Sequence, residues 1–309
     1  MSAHLIKSLS LLLFGIVISS LVFAADDEAE SLKDVQIETV NVADGIYMLV
    51  GTGAGNIGVS VGDDGVILID DQYAPLTARI KAAVAKLSDR PVRFVINTHW
   101  HGDHTGGNEN LAQEGSVIIA HDEVYQRMSH ENFIAGFGQI VPPSPKAALP
   151  VISFNDTVTF HVNGHDIHAV HVEHAHTDGD SIVLFRSANV IHTGDIWFNG
   201  IYPFIDSSSG GSLDGVIAAV DVILKLADQQ TKIIPGHGPL SDREGLLGYR
   251  RFLTDVRERV GKLLQQGKTL DQILAAKPLA DYDATLGKGF FSTDKFLEFA
   301  VAAMSTPAH

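Results

Sequence analysis

Val95-Ile96-Asn97-Thr98-His99-Trp100-His101-Gly102-Asp103-His104-Thr105-Gly106-Gly107 places three imidazoles and one carboxylate within six residues, directly after an apolar run that reads as a short strand. The His99-x-His101 step allows two side chains to turn toward one metal, while Asp103 and His104 turn toward a neighbouring one. Fifteen histidines in 309 residues could cluster by chance, but the pattern recurs further along the chain. His174-Ala175-His176-Thr177-Asp178-Gly179-Asp180 lies between two strand-like runs, His192-Thr193-Gly194-Asp195 follows Val190-Ile191, and Pro235-Gly236-His237-Gly238-Pro239 follows Ile233-Ile234. Each puts an imidazole or carboxylate at a strand end, with glycine nearby to let backbone approach closely.

The chain outside these stretches is read by periodicity. From Val35 it is short-period and β-rich, with runs at 35–40, 46–50, 56–61 and 66–69, and Asp63-Asp64-Gly65 predicts a hairpin between the last two. Gly53, Gly55 and Gly58 read as a flexible loop rather than a nucleotide-binding one, because they do not join a strand to a helix as that motif requires. Asp70 and Asp71 close the 66–69 strand, and Pro75 opens a helix with Leu76, Ile80, Val84 and Leu87 at helical spacing. The unit ends in a strand at 94–97, so the first metal cluster emerges at a strand's C-terminal end, where open α/β sheets place ligands.

A strand at 117–119 and a helix at 122–128 follow. Residues 137–150, with Pro142, Pro143, Pro145 and Pro150, read as a loop, either a flap over a cleft or an exposed connector. Strands resume at 157–162, 167–172, 181–185 and 190–192, with a hairpin turn at Asn163-Gly164. A helix at 213–227, a strand at 233–234 and a long helix at 242–266 complete a second half. Two β-rich units, each with helices on one outer side, predict an α/β fold of the αββα sandwich type. Helices at 270–276 and 293–302 read as a C-terminal packing appendage, with Gly287, Gly289 and Phe290-Phe291 in a loop between them.

The first stretch reads as an export signal: Leu9 to Ala25 is almost without polarity and ends Val22-Phe23-Ala24 before Asp26-Asp27-Glu28. The expected organisation is a signal peptide at 1–24, then a single domain at 25–309, periplasmic or secreted. The apolar run is short for a permanent span, although an uncleaved anchor is the other reading. The sequence contains no cysteine, which excludes disulfides, thiolate ligands and a cysteine nucleophile. A net charge of −15 argues against a nucleic-acid partner, since no basic surface is left to displace counterions from phosphates. A small-molecule substrate is the expected partner.

The four clusters resemble the metallo-β-lactamase superfamily. His99-x-His101-x-Asp103-His104 is similar to its signature, and His176, Asp195 and His237 match the later ligand positions, so the resemblance spans about residues 35–255. It implies a four-layer αββα fold with two metals bridged by water at one edge. Carried over, it implies His99, His101 and His176 on the first metal and Asp103, His104 and His237 on the second. Asp195 would bridge the metals, complete the ligand set of the second one, or support a histidine. All-imidazole ligation suits zinc, and a mixed shell tolerates zinc, iron or manganese; two zinc ions are expected. Such a pair polarises a carbonyl and activates water, with Asp103 orienting that water or accepting its proton. His171, His174 and His192 are expected to make supporting hydrogen bonds only.

Two sub-patterns of the family meet in this chain. The separations of nineteen residues from His176 to Asp195 and forty-two from Asp195 to His237 resemble exported β-lactamases that carry cysteine at the middle position. Aspartate there, together with His104, resembles the glyoxalase II type of thioester hydrolase and many lactonases. The β-lactamase pattern also places a lysine three residues beyond the cysteine, where this chain has Phe198. Export favours substrates that reach the periplasm. The expectation is therefore a zinc hydrolase of an activated carbonyl, with a β-lactam-like cyclic amide first and a lactone or thioester as the alternative. A mononuclear iron sulfur dioxygenase and a noncatalytic metal-binding protein are further readings. Trp197, Phe198, Ile201, Tyr202 and Phe204, which follow Asp195, are candidates for an apolar substrate wall, and Trp100 for either packing or the entrance.

Overall fold

The computed structural model describes residues 32–305, so the segment read as a signal peptide lies outside the described residues. Among the described residues, no helix is long and apolar enough to cross a membrane. Fifteen strands and nine α-helices organise residues 37–305.

The first sheet has seven strands in the order β1-β2-β3-β4-β5-β6-β9. These are β1 (Ile37–Ala43), β2 (Ile46–Gly51), β3 (Ile57–Gly62), β4 (Gly65–Ile69), β5 (Val92–Ile96), β6 (Val117–His121) and β9 (Ile152–Phe154). Antiparallel hairpins build its first four strands, and parallel pairing begins where helix α1 (Thr77–Val84) carries the chain from β4 to β5. All five residues of β4, Gly-Val-Ile-Leu-Ile, are buried, as expected for a strand covered on both faces. Short helices α2 (Gly102–Thr105), α3 (Asn108–Gln113) and α4 (Asp122–Ser129) follow β5 and β6.

The second sheet has six strands in the order β10-β11-β12-β13-β14-β15. They are β10 (Thr157–Val162), β11 (His165–His171), β12 (Ser181–Phe185), β13 (Val190–His192), β14 (Lys232–Ile234) and β15 (Ser241–Asp242). The turn between β10 and β11 carries Asn163 at φ 54° and Gly164 at φ 71°, the left-handed pair that an Asn-Gly hairpin needs. Helices α5 (Leu213–Leu226), α6 (Arg243–Gln265), α7 (Leu270–Ala276), α8 (Asp283–Leu286) and α9 (Thr293–Ser305) complete the chain.

The layers follow from two apolar clusters. Ile67, Ile69, Ile96 and Ile119 of the first sheet pack against Ile167, Ala169, Val183, Phe185 and Ile234 of the second. On the other side of the second sheet, Ile182, Ile191 and Ile233 meet Val220 and Ile223 of α5, Phe252 and Val256 of α6, and Phe296 and Ala300 of α9. The fold is the expected four-layer αββα sandwich.

One expectation is corrected. Residues 137–150 were expected to hold no regular element, yet β8 (Gln139–Val141) pairs antiparallel with β7 (Asn132–Ile134). Gly138, at φ 61°, turns the chain, and Phe133 and Ile140 sit opposite one another. The three-residue strand ends at Pro142, which cannot donate to a ladder, so the proline run masks it in the sequence.

Candidate metal centre

All four histidine-rich stretches reach the site from C-terminal ends of strands: 97–104 after β5, 172–180 after β11, 193–195 after β13 and 235–237 after β14. Backbone hydrogen bonds join them into one rim. Ser181 N donates to Thr98 O at 2.8 Å, Gly236 N to Gly194 O at 2.8 Å, and Asn56 N to Gly236 O at 2.7 Å. The approach of these strand ends explains two glycines. A Cβ on Gly236 would lie 2.1 Å from Asp195 Oδ1, and one on Gly55 would lie 2.2 Å from the His104 ring. Gly55, read from sequence as part of a flexible loop, is therefore required by the close packing of a candidate ligand.

Two sets of side chains result. His99, His101, His176 and Asp195 form one, and Asp103, His104, Asp195 and His237 form the other, with donor atoms of each set within 4.8 Å of one another. Asp195 belongs to both. Its Oδ1 lies 3.0 Å from His104 Nε2 and 3.3 Å from His237 Nε2, and its Oδ2 lies 3.7 Å from His99 Nε2 and 3.6 Å from His176 Nε2. Six of these seven residues have 6% or less of their surface exposed, and Asp103 opens further toward solvent, with 19% of its side chain exposed.

The outer hydrogen bonds fix which imidazole nitrogens face inward. His176 Nδ1 donates to Phe204 O at 2.9 Å, and His101 Nε2 donates to Asp206 Oδ2 at 3.1 Å. His104 Nδ1 donates to Asp70 Oδ2 at 2.7 Å. Thr98 Oγ1 spends its own proton on Asp70 Oδ2 at 2.7 Å, so it accepts from His99 Nδ1 at 3.0 Å. With the proton held on the outer nitrogen, the inner nitrogens of His99, His101 and His176 present lone pairs. His101 Nδ1 and His176 Nε2 then face each other at 2.9 Å, while His104 Nε2 and His237 Nε2, 3.4 Å apart, lie beside the Asp103 and Asp195 carboxylates. Buried His99 Nε2 has no hydrogen-bond partner among the described residues. Converging lone pairs are electrostatically unfavourable unless a cation lies among them, so these residues fit a metal pair. The mixed imidazole and carboxylate donors are those of a binuclear zinc centre.

The electrostatics agree. Burial pushes His99 well below the ordinary imidazole value, reinforced by His104, and burial takes His176 down to about 4. His237 moves the other way: burial opposes a charge there, but Asp195 and Asp103 raise it to about 9. Burial likewise opposes charge on His104, yet Asp195, Asp103 and Asp70 hold it well above its usual value. Three carboxylates thus favour positive charge in the second set, a role a divalent ion fills by displacing protons.

Sequence reading missed the supports. Asp70 was noted only as closing a strand, but it holds His104 directly and His99 through Thr98, from a left-handed backbone at φ 64°. Asp206 was not singled out. Its carboxylate faces His101 and also accepts from the Ser208 and Ser209 backbone, and these partners hold it below the usual carboxylate range although burial opposes this. The available signal was a strand-end or loop carboxylate flanked by turn residues, which is too common to select. We predict that Asp206→Asn weakens metal at the His101 set by about 10-fold to 100-fold while sparing the other set; competition with a chromogenic chelator checks this, and simultaneous weakening of both sets would contradict it.

The supporting histidines behave as expected of them. His192 Nε2 meets Asn56 O at 3.1 Å, His171 Nδ1 meets Asp180 O at 2.9 Å, and His174 Nδ1 meets Gly210 O at 3.1 Å. The aromatic candidates divide. Trp197, 1% exposed, packs in the helix-facing core beside Tyr249, and Tyr202, fully buried, stacks on Phe296 and donates to Asp283 Oδ1 at 3.1 Å. Neither offers surface to a substrate, contrary to the expectation. Trp100, 4% exposed, takes the packing role among Val124, Met128 and Phe204. Phe198 is nearly buried but lies flat on His237, ring centroids 4.8 Å apart at 13°.

Comparison with known proteins agrees with this centre. The metallo-beta-lactamase superfamily model matches residues 50–241, and the chain belongs to that superfamily. Among curated proteins it is 28% identical over 200 residues to hydroxyacylglutathione hydrolase from Nitrosococcus oceani, covering 64% of this chain and 66% of that one. It is 30% identical over 123 residues to the alkyl/aryl-sulfatase BDS1 of Saccharomyces cerevisiae, covering 34% of this chain and 19% of the relative. The chain thus spans less than two thirds of the length of these curated relatives. A metallo-beta-lactamase structure from Pontibacter korlensis superposes with a TM-score of 0.58 at 17% identity, covering 71% of this chain and all of that one, a likeness of fold.

Proposed function

We propose that the protein is a metal-dependent hydrolase of a thioester or lactone, in preference to the β-lactam expected first from export and ligand spacing. The observation that carries the preference is Asp195, whose two oxygens reach histidines of both sets. Aspartate at this position is the feature by which the chain resembles the glyoxalase II type of thioester hydrolase and lactonases. Similarity to a hydroxyacylglutathione hydrolase supports the same choice. Phe198, at the place of the lysine in the β-lactamase pattern, lies against His237 and offers no charge to a drug's carboxylate.

Bound at these two sets, divalent zinc would supply Lewis acidity toward a carbonyl oxygen and would acidify water. The protein's own contribution is orientation and proton handling. Asp103 Oδ2, 3.2 Å from His237 Nε2 and 3.5 Å from His104 Nε2, is the most exposed carboxylate of the two sets and the one that entering water and substrate meet. His104 and His237 keep its carboxyl well below the usual carboxylate range against the opposing effect of burial, so it stays an acceptor at neutral pH. It orients a water molecule there as a hydrogen-bond acceptor. Thr98, Asp70 and Asp206 hold the imidazoles so that no reorientation is needed as the reaction proceeds.

The test pairs metal analysis with turnover of a chromogenic cephalosporin, a γ-lactone and an acyl thioester by one preparation. Two metals per chain with turnover of the thioester or lactone exceeding that of the cephalosporin by about 100-fold or more, roughly 2.7 kcal/mol in transition-state stabilisation, is the expected result. Faster cephalosporin opening would overturn the substrate assignment.

A further inference from the structure

Phe290-Phe291, which had no role in the sequence, sits with the β7–β8 turn at the metal centre. Phe290 is 54% exposed, yet its ring stands edge-on to His237 with centroids 5.7 Å apart. On the other side Phe137 is 47% exposed and lies 4.6 Å from Phe204, which in turn packs against His101 at 5.8 Å and His176 at 5.7 Å. Phe291 closes the gap, 6.0 Å from Phe137 and 6.4 Å from Phe290. Gly136 brings the turn this close: a Cβ there would meet the Phe204 ring at 2.7 Å and the Phe299 ring at 3.0 Å. The result is a continuous aromatic arc that starts at histidines of one candidate metal set and ends at a histidine of the other. Two of its rings have about half their surface in solvent.

Such exposure has a cost in water that a core ring does not carry, and its place at the reacting end of the molecule gives it an occupant. We propose that the arc formed by Phe137, Phe291 and Phe290 is an acyl subsite, selecting substrates whose carbonyl carries an apolar chain of several carbons. The proposal rests on the hydrolase reading above, because it takes the carbonyl to lie at the two metal sets. The apolar chain then leaves the centre along the rings, with Asp103 on the open side. The C-terminal appendage, through the loop before α9, is in this way part of the substrate site.

The experiment compares S-acetyl and S-hexanoyl N-acetylcysteamine in the zinc-loaded full chain. Each methylene held against the rings contributes about a fourfold gain, and with two or three of the four added methylenes in contact kcat/KM should rise about 15-fold to 60-fold from acetyl to hexanoyl. Phe290→Ala and Phe137→Ala should each reduce that ratio at least about threefold, Phe290→Leu should restore most of it, and Phe290→Gln should not. Calorimetric binding of hexanoate and acetate provides a readout without turnover: hexanoate should bind more tightly, and Phe290→Ala should remove most of the difference. If neither thioester nor lactone is turned over but hexanoate retains its Phe290-dependent advantage, the hydrolase reading fails and the subsite stands. A flat chain-length response in both measurements overturns the subsite, as does a concentration-dependent dimer that Phe137→Ala abolishes while the hexanoyl preference is unchanged.

Discussion

Asp195→Ala is expected to lower metal affinity at both sets together and to reduce kcat/KM by more than about 100-fold, the upper end of what removing a mere outer partner of a metal ligand costs. The reason is positional. One carboxylate lies between 3.0 and 3.7 Å from His99, His104, His176 and His237, so its loss takes a donor from both sets, leaving the first with imidazoles alone and the second with Asp103 as its one carboxylate. The supporting hydrogen bonds to Asp70, Asp206 and Phe204 do not involve Asp195, so the imidazoles stay aimed inward. Asp195→Cys provides the contrast. A thiolate is a good zinc ligand, so this variant should retain zinc at one set or both where alanine does not. Metal content by mass spectrometry and steady-state kinetics on the same samples check both changes. Loss of metal from only one set in the alanine variant would show that Asp195 does not serve both.

The candidate ligand residues could be picked out from sequence because metal chemistry uses few side chains and strand ends collect them. His99, His101, Asp103, His104, His176, Asp195 and His237 all stand where an apolar run stops, and all come together in the fold. The aromatic neighbours carried no equivalent signal. Trp197 has an extended backbone, φ −129° and ψ 119°, so consecutive side chains leave on opposite sides. Its indole enters the core against the helices while Phe198, one residue later, lies on His237. Adjacency to Asp195 could not tell the two apart. Asp206 and Phe290 are separated from the residues they meet by 105 and 53 positions, and a lone aspartate or phenylalanine in a loop has no periodicity to reveal such a partner.

Removing metal is expected to destabilise the fold as well as end turnover. The candidate ligands come from both sheets: His99, His101, Asp103 and His104 follow β5 of the first, while His176, Asp195 and His237 follow β11, β13 and β14 of the second. A metal held at either set therefore ties the two sheets together at one edge of the sandwich. Without it, His101 and His176 direct lone pairs at each other across 2.9 Å, and buried His99 Nε2 keeps no hydrogen-bond partner among the described residues. Both conditions raise the free energy of the folded state relative to an unfolded chain, in which water solvates these groups. Free metal at about 1,000 times its dissociation constant stabilises a site by about 4 kcal/mol, which for a chain of this size corresponds to a Tm shift of roughly 10 °C. Scanning calorimetry of zinc-loaded and chelator-treated protein at neutral pH should show at least that difference, reversed by adding zinc. Equal melting temperatures in protein shown by mass spectrometry to have lost both ions would mean that the sheets are held by the apolar cluster of Ile67, Ile69, Val183 and Phe185 alone, and that the converging imidazoles cost the fold nothing.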